Sequence, residues 1–405
     1  MKLLILCGAL PPSTSATALL LDKLLPFFRA NGVEVEGLTV KESFSDTNSY
    51  FHGDVTVHRA NAVLQSPLSV SCFGDFVYKA IHRLRRTFEK PKRYVPLYKK
   101  DVKRGFLSAL KRLRANRYDC IIAVCAHYDA AAALAEYKTK YAPHTPILLY
   151  QVDPLAENTI YGGGEALLAY EKSLYGIYDH VFTTPTVYKQ KQKLGWDLSK
   201  VDVLMFPTVF GAKKGGERSS REEIRCVYAG QLYGGLRDAR YTLELFSRIR
   251  DPRIHLYFVG RGQEELLREY EDGALKGRLH CLGEKTAEEC DAILADADVL
   301  VNIGNTDKYL IPSKLFHYFG FGKPILNVVT DGECPSLPFV EQYGPAVSLM
   351  AADSLEENVA GAERWITENF RVRLSPEEIS ERLRDCSPQY VAEKIMDTIN
   401  GVKHE

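Results

Sequence analysis

The sequence predicts an α/β protein made of two Rossmann-like doubly wound domains. Three observations lead to this fold class. The 405 residues, of which 45% are hydrophobic, exceed what one ordinary core accommodates and suit two domains of roughly 200 residues each. Short apolar runs alternate with helical patterns in two separate series along the chain. A segment rich in Gly, Lys, Ser and Arg lies between the two series.

The first series opens with an apolar strand at 2–6, a loop that contains Gly8, and a helix from about 16 to 30. Further strands are expected at 33–40, 120–124 and 147–150. Apolar runs of this kind are typical of parallel strands that are covered by helices on both faces. We therefore expect an N-terminal domain over 1–206, followed by an exposed linker over 207–223.

The second series restarts after the linker and predicts a domain over 224–387. Its strands are expected at 224–229, 254–259, 278–282, 298–303 and 324–329. Its helices are expected at 238–250, 263–271, 287–295, from Ser313, and at 353–370. Ser375, Pro376 and Glu378 then supply the N-cap, first-turn proline and capping-box carboxylate of another helix. A last helix is expected over 388–400.

Composition excludes several classes of protein. No run approaches the roughly 18 apolar residues that a membrane helix needs, and the first residues lack the pattern of a secretory leader. The nine cysteines are odd in number and lack the spacing of zinc knuckles, which predicts reduced core thiols. The 52 basic and 52 acidic residues balance. These features predict a cytoplasmic protein.

Charge is nevertheless unevenly distributed. From Lys79 to Arg117 there are fifteen Lys and Arg residues but only two acidic ones, Glu89 and Asp101. This basic insertion, at about 76–118, also contains aromatic residues, and it favours contact with an anionic membrane surface. A solvated helical insertion is the alternative. Nucleic-acid binding is a weaker one, because no recognition module accompanies the charge.

Glycines follow three strands of the second series. Gly230, Gly260 and Gly283 each come at the carboxyl end of a predicted strand, where ligands bind in open parallel sheets. A residue without Cβ lets a ligand or a neighbouring backbone approach closely. Three such glycines in one domain predict a nucleotide-binding crevice.

The segment 311–326 carries the most specific pattern. Pro312 and Ser313 begin a short helix whose free backbone N–H groups suit a diphosphate. This helix begins in Pro-Ser-Lys-Leu-Phe and ends before Gly-Lys-Pro-Ile-Leu, and it resembles the donor-site signature of retaining GT-B glycosyltransferases of the family-4 type. The resemblance implies two facing Rossmann-like domains, with the nucleotide-sugar in the C-terminal one and the acceptor in the other. It also implies that the last helix, within 388–405, crosses back to the N-terminal domain.

Donor-side residues follow from this resemblance. Arg237 ends a stretch similar to the family's strand and glycine loop, and its guanidinium is a candidate contact for the diphosphate and the leaving nucleotide. Lys314 lies in the first turn of the short helix, where a cation is unfavourable unless an anion is near, so it is a second phosphate candidate. For both cations, a solvated surface side chain is the alternative. The remaining donor-binding candidates are Gly230, Tyr233, Gly260, Gly283, Tyr309, Pro312, Ser313, Leu315 and His317.

The chain departs from the family pattern at two of these positions. Related enzymes carry two glutamates eight positions apart, the second of which holds the donor ribose. Alignment on Gly322 places Tyr309 and His317 there. A neutral imidazole accepts one hydrogen bond but lacks two charged oxygens. Either the donor is held differently, or catalysis is weakened and the protein is a GT-B-shaped scaffold.

Four residues after strands of the first series are predicted on the acceptor side: Gly8, His127, Gln151 and Asp153. Asp153 either orients an acceptor hydroxyl or caps a turn, and His127 either carries a proton or is a satisfied strand-end histidine. These two, with the two cations, are the catalytic candidates.

Metal ions and cofactors are not expected. Asp296-Ala297-Asp298 matches the metal-binding Asp-x-Asp of another glycosyltransferase fold, but it lies where a helix ends and a strand begins. The sequence therefore predicts a metal-independent retaining glycosyltransferase acting on a glycan or lipid-linked saccharide in cell-surface polysaccharide synthesis, at the inner face of the membrane. A nucleotide-sugar epimerase is a weaker alternative, because no carboxylate pair is evident.

Overall fold

The computed structural model describes residues 1–13, 15–41, 46–61, 100–125, 128–157, 164–207 and 222–402. These residues form two compact units, each built on a largely parallel sheet. The N-terminal unit comprises the described part of Met1–Pro207 together with the helix Pro388–Val402, and the C-terminal unit comprises the described part of Thr208–Ser387. The predicted fold class, two doubly wound α/β domains, is confirmed.

Eight strands form the sheet of the N-terminal unit. They are β1 Lys2–Leu6, β2 Glu34–Val40, β3 Ser49–His52, β4 Val55–Ala60, β5 Cys120–Cys125, β6 Ile147–Gln151, β7 His180–Thr183 and β8 Val201–Val203. Their spatial order is β3-β4-β2-β1-β5-β6-β7-β8, and among these strands β3 and β4 alone pair antiparallel. Strands β5 and β6 are buried over their whole length, as their apolar sequences require in a sheet covered on both faces.

Helices cover this sheet. They are α1 Ala16–Asp22, α2 Leu25–Ala30, α3 Lys100–Leu113, α4 Asp129–Tyr141, α5 Glu165–Ile177 and α6 Pro185–Lys193, with a short 3-10 turn at Ala115–Arg117. The prediction of one helix over 16–30 is wrong, because two helices meet at Lys23 and Leu24. The reason is Pro26, which lies in the first turn of α2 and has no N–H to continue the preceding helix.

The basic insertion predicted at about 76–118 is described only from residue 100. Residues 76–99 lie outside the described part of the chain. In the described part, α3 buries Val102, Phe106 and Leu110 in the core of the N-terminal unit. Lys103 pairs with Glu136 of the neighbouring α4 at 2.7 Å, and Arg104, Lys111 and Arg112 are exposed. This portion is therefore a core-packed helix with a charged outer surface, and membrane contact stays a prediction.

Six parallel strands form the sheet of the C-terminal unit. They are β9 Ile224–Ala229, β10 Ile254–Val259, β11 Leu279–Cys281, β12 Val299–Ile303, β13 Ile325–Val329 and β14 Ala346–Met350. Their order is β11-β10-β9-β12-β13-β14, so the direction of winding reverses between β9 and β12. In open parallel sheets, the crevice at such a switch point is where ligands bind.

Helices of the C-terminal unit follow each strand. They are α7 Arg240–Arg248, α8 Glu264–Asp272, α9 Ala287–Asp296, α10 Ser313–Phe319, α11 Leu337–Tyr343, α12 Leu355–Asn369 and α13 Pro376–Arg382, and α14 Pro388–Val402 then packs in the N-terminal unit. The capping box predicted at Ser375 is confirmed: its Oγ accepts from Glu378 N at 3.2 Å, and its own N donates to the Glu378 carboxylate at 2.7 Å. None of the helices described here combines the length and apolar character needed to cross a membrane.

Candidate functional site

The loops that follow β9, β10 and β11 lie against one another at the carboxyl end of the C-terminal sheet. Gly230 N donates to Val259 O at 2.6 Å, and Gly260 N donates to Gly283 O at 2.8 Å. A Cβ built on Gly260 would lie 2.3 Å from Gly230 O, and the backbone φ of Gly260 is +131°. Glycine is therefore required there. The three glycines predicted to share one crevice therefore lie next to one another in the folded domain.

Lys314 reaches from α10 to the first of these glycines. A Cβ on Gly230 would lie 1.0 Å from Lys314 Nζ, so the lysine side chain occupies the space that the glycine leaves. Its Nζ lies 5.2 Å from the centroid of the Tyr228 ring. Tyr318, from the next turn of α10, ties that helix to β9, because its hydroxyl accepts from Ala229 N at 2.7 Å. Lys314 is thus held in place by packing on several sides.

Arg237 comes to the same region from the loop between β9 and α7. Two backbone hydrogen bonds, of 3.1 Å and 2.7 Å, join it to Tyr233. Its guanidinium donates from Nη2 to Asn305 Oδ1 at 2.7 Å and, more weakly, from Nη1 to Gln231 O at 3.4 Å. Its Nε is buried and has no hydrogen-bond partner among the described residues. A buried charged donor left unpaired is costly, and a bound anion would satisfy it.

The two cations influence each other. Burial, followed by the nearby charge of Arg237, lowers the pKa of the Lys314 ammonium to about 7. Neither side chain forms an ion pair with a carboxylate within the described ranges. Two like charges without a counter-ion create a local positive potential, which favours an anionic ligand.

The loop between β12 and α10 is organised by two polar side chains. Asp307 Oδ1 accepts from the backbone N of Tyr309 at 2.8 Å and of Leu310 at 3.2 Å. Asn305, which is 7% exposed, donates from Nδ2 to Leu310 O at 3.0 Å. Asn305 therefore connects Arg237 to this loop. Neither residue is part of a recognisable motif, although Asn and Asp side chains commonly organise turns in this way.

A cavity of about 320 Å³ opens beside this loop, within the C-terminal unit. Ile303, Val328 and Val329 are among its apolar lining residues, and its polar lining residues are Asp238, Arg240, Tyr241, Glu244, Thr306 and Thr330. A cavity that combines apolar surface with polar groups suits a small molecule. Its hydroxyl and carboxylate groups suit a ligand that carries several hydroxyls.

Tyr309 and His317, the two positions that depart from the family pattern, are both folded into local contacts. His317 Nε2 lies 2.9 Å from Asp291 Oδ1 on α9, and the two side chains are 42% and 32% exposed. Tyr309 is held through its backbone N by the turn around Asp307. Their predicted roles toward the donor stay predictions.

The short helix α10 begins as predicted, at Ser313, which is exposed and follows a buried Pro312. Leu315 has a different place from the one expected. Its side chain is 0% exposed and packs inside the unit, so it cannot contact a donor. A leucine at this position of an amphipathic helix faces the core. The prediction that the Leu315 side chain contacts the donor is therefore wrong.

The Gly-Lys-Pro sequence after α10 is structural. Lys323 is 1% exposed, and its Nζ donates to the carbonyl oxygens of Ala295, at 2.5 Å, and Ala297. It therefore secures the carboxyl end of α9. A Cβ on Gly322 would lie 2.4 Å from Leu374 O, and its φ is +63°, so a glycine is needed at this turn.

Asp296 and Asp298 lie where the sequence places them, at the end of α9 and before β12. Asp296 pairs with the guanidinium of Arg225. Asp298 is 0% exposed and accepts a hydrogen bond from Arg225 N at 2.9 Å. Both carboxylates thus have contacts within the fold, which agrees with their interpretation as helix-exit residues.

Gln151, in the N-terminal unit, does not fit its predicted role. The side chain is 1% exposed, and its Nε2 donates to Tyr128 Oη at 2.6 Å and to Glu171. Its Oε1 accepts from Thr183 Oγ1 at 3.2 Å and from Tyr175 Oη. The prediction that this side chain contacts the acceptor directly is therefore wrong. As the last residue of an all-buried strand, Gln151 points into the core instead of out of the sheet edge.

Three buried charges lie next to Gln151. Lys191, which is 0% exposed, donates to Glu157 and to Glu171, each at 2.5 Å. Burial raises the pKa of the Glu171 carboxyl, and the charge of Lys191 opposes this rise. Leu155 N also donates to Glu171, at 3.2 Å. The cluster, which we call the Lys191 cluster and define as Lys191, Glu157 and Glu171, anchors the loop that follows β6.

That loop contains Asp153, which is half-buried, with a backbone carbonyl that accepts from Tyr128 Oη at 3.2 Å. Gly8 follows β1, is exposed, and has no atom within 4 Å of a Cβ built on it. Since β1, β5 and β6 are neighbours in the sheet, Gly8 and Asp153 lie at the same edge of the N-terminal unit. His127 lies outside the described residues.

Neither a protein-family model nor a curated protein sequence matches this chain. Solved structures do. The sucrose-phosphate synthase of Thermosynechococcus elongatus is similar with a TM-score of 0.70 and 13% identity, over 99% of this chain and 98% of that one. The lipopolysaccharide outer core galactosyltransferase WaaB is similar with a TM-score of 0.67 and 12% identity, over 99% of each chain. Alr3699/HepE of Anabaena, solved in complex with UDP-glucose, has a TM-score of 0.61 and 12% identity, over 99% of this chain and 100% of that one. The chain therefore has the GT-B fold.

Proposed function

We propose that this chain, which has the GT-B fold, is a glycosyltransferase that moves a sugar from a nucleotide-sugar donor to a glycan or lipid-linked saccharide. One observation carries the proposal: Arg237 and Lys314 meet beside the glycine loops, and neither has a carboxylate partner among the described residues. A pyrophosphate group supplies the negative charge that such a pair lacks.

The chemistry follows from where these charges lie. In the proposed reaction the bond between the anomeric carbon and the phosphate oxygen breaks, and the acceptor oxygen bonds to that carbon on the same face. The acceptor proton passes to the departing phosphate. Arg237 and Lys314 stabilise the charge that develops on the leaving nucleoside diphosphate. We propose a metal-independent reaction, because these two side chains supply the charge for which other enzymes use a divalent ion.

The acceptor is proposed to bind at the edge of the N-terminal unit that carries Gly8 and Asp153. The open space at Gly8 leaves room for a ligand. The surplus of basic residues between Lys79 and Arg117 supports an acceptor carried by an anionic membrane on its cytoplasmic side. Synthesis of a cell-surface polysaccharide is the process that suits this arrangement.

A thermal-shift screen tests the proposal. The purified protein is melted with UDP, GDP, ADP, TDP and CMP and with their common sugars, first in EDTA and then with magnesium or manganese. We expect one nucleotide class to raise the melting temperature in EDTA, because a ligand that binds only the folded state stabilises it. Arg237→Ala should lose the effect. Arg364→Ala, which removes an exposed cation on α12, should keep it.

A non-catalytic binding protein of the same shape is the second candidate. The observation that favours it is the absence of a glutamate at positions 309 and 317, where His317 instead contacts Asp291. Release of nucleoside diphosphate from the stabilising nucleotide-sugar separates the two candidates. Sustained release with a saccharide or lipid-linked acceptor supports transfer. Tight donor binding without any release supports the binding protein.

A further inference from the structure

We propose that Asn305 is a positioning residue of the donor site, which holds the Arg237 guanidinium in the orientation that receives the phosphates. This inference rests on the proposed function and explains how its main cationic contact is built. The residue belongs to the loop after β12, whereas Arg237 belongs to the loop after β9, and these two strands flank the switch point of the sheet.

Both polar ends of the Asn305 amide are in use. Its Oδ1 accepts from Arg237 Nη2 at 2.7 Å, and its Nδ2 donates to Leu310 O at 3.0 Å. The orientation of the amide is fixed by this chemistry, because a guanidinium has only donors and a carbonyl has only lone pairs. With 7% exposure, Asn305 is also held by the packing around it. Asn305 thus links the two loops through hydrogen bonds at both ends of its amide.

Of the contacts that the guanidinium makes, the hydrogen bond to Asn305 is the best formed. Its Nη1 lies 3.4 Å from Gln231 O, it also interacts with the Tyr228 hydroxyl, and its Nε has no partner in the described structure. An arginine side chain has many rotamers, and leaving them free costs binding entropy when the anion arrives. A single well-formed hydrogen bond at Nη2 removes much of that freedom and leaves the other donors for a ligand.

The neutrality of Asn305 also matters. An aspartate in its place would accept the same bond but would form an ion pair with Arg237 and cancel its charge. The amide holds the guanidinium without reducing the positive potential that Arg237 and Lys314 create together. This explains why an amide suits the position better than a carboxylate does.

The two loops have other connections. Thr306 N donates to Leu236 O at 2.9 Å, and Thr306 Oγ1 donates to Gly235 O at 2.9 Å. These bonds do not involve the Asn305 side chain. A change of Asn305 should therefore free the Arg237 guanidinium while the backbones of the loops stay together.

A double-mutant cycle tests the inference. UDP, GDP, ADP and TDP are each titrated into the wild type by calorimetry, and the one that binds most tightly is kept. Asn305→Ala should weaken it about tenfold, and Arg237→Ala at least as much. The double variant should be no weaker than Arg237→Ala alone, because Asn305 acts only through that side chain. Asn305→Asp should weaken binding as much as Asn305→Ala or more.

Asn302→Ala is the matched control. Asn302 lies on β12, three residues before Asn305, is 1% exposed, and donates to Asn327 Oδ1 at 2.7 Å. It should lower the melting temperature and leave affinity within about twofold. If Asn305→Ala binds like the wild type, if its effect adds fully to that of Arg237→Ala, or if Asn302→Ala weakens binding equally, the positioning role is wrong. If the wild type binds none of the four nucleotides, the proposed function fails as well.

Discussion

At the scale of single residues, the charge on Lys314 is the most sensitive property of the site. Burial and the charge of Arg237 lower its pKa to about 7 in the unliganded protein. Cys290 acts in the opposite direction and raises its pKa, and the Tyr228 ring lies 5.2 Å from its Nζ. Because the pKa in the unfolded chain is near that of free lysine, stability from this group rises as pH increases from about 7 toward about 10. A bound phosphate acts in the opposite direction and favours the charged ammonium.

Donor affinity should therefore depend on pH. We expect the dissociation constant of the stabilising nucleotide-sugar to rise between about pH 6.5 and about pH 8.5, because binding must then bring a proton to Lys314. A nucleotide-sugar is the right probe, since its phosphodiester oxygens do not titrate in this range. Calorimetry in buffers of different ionisation enthalpy measures the proton uptake. In Lys314→Met both effects should vanish. A wild-type affinity that is flat over this range, without proton uptake, would contradict the expectation.

The sequence predicted which residues lie near the site better than it predicted which way their side chains point. Arg237 was predicted from the resemblance of its segment to the family's strand and glycine loop, and Lys314 because a cation at a helix start is unfavourable unless an anion is near. Gln151 ends a strand, and only the fold shows that its amide lies in the core. Asn305 has no motif of its own, because its importance comes from Arg237, which is far away in sequence.

At the scale of elements, apolar patterns predicted most of the strands that are buried on both faces, although the short buried strand β7 was not predicted. In the C-terminal unit, β9 and β10 begin and end as predicted, since each is a mainly apolar run with one polar residue, Arg225 or His255, at its second position. Strand β3 was missed because its residues are exposed or half-buried and Phe51 is 78% exposed, so burial leaves no pattern in it. Strand β14, half-buried over most of its length, was missed for the same reason. Edge strands are where a period-based prediction is weakest.

The Lys191 cluster joins α5, α6 and the loop after β6, and it should be essential to the N-terminal unit. Lys191→Met leaves Glu157 and Glu171 as buried carboxylates without their cation, and we expect a loss of roughly 3–5 kcal/mol in the free energy of unfolding. Urea denaturation followed by tryptophan fluorescence measures it, because Trp196 lies 4.5 Å from Lys191 Nζ. Lys189→Met, an exposed lysine of the same helix, should change little. Equal stability of the two variants would show that the cluster is not needed.

At the scale of the whole molecule, the N-terminal unit is built from two separate segments of the chain. The helix Pro388–Val402 belongs to that unit although the C-terminal unit precedes it in sequence. Val391, Ile395 and Ile399 lie at helical spacing and are buried, which is the pattern that binds a helix to a core. The resemblance to GT-B proteins, and not the periodicity, was what implied this packing.

Ile395→Asp should therefore loosen the N-terminal unit. A carboxylate at a position that is 2% exposed cannot be solvated, so we expect faster amide hydrogen exchange in α2 and α14, with β9 to β12 unchanged. Mass spectrometry of exchanged peptides measures both units in one sample. Lys394→Asp changes charge on the exposed side of the same helix and serves as the control. Exchange that rises in the C-terminal unit instead would show that the helix stabilises the other half.

The return of the last helix also sets an order of events during synthesis. Pro388–Val402 is translated after all the other described residues of the N-terminal unit, so the part of the core that it covers stays uncovered until this helix has left the ribosome. The N-terminal unit, although translated first, must wait for the helix that covers part of its core. In the interval that apolar surface is open to chaperones, and a chain that ends before residue 388 would leave the N-terminal unit without the helix that completes its core.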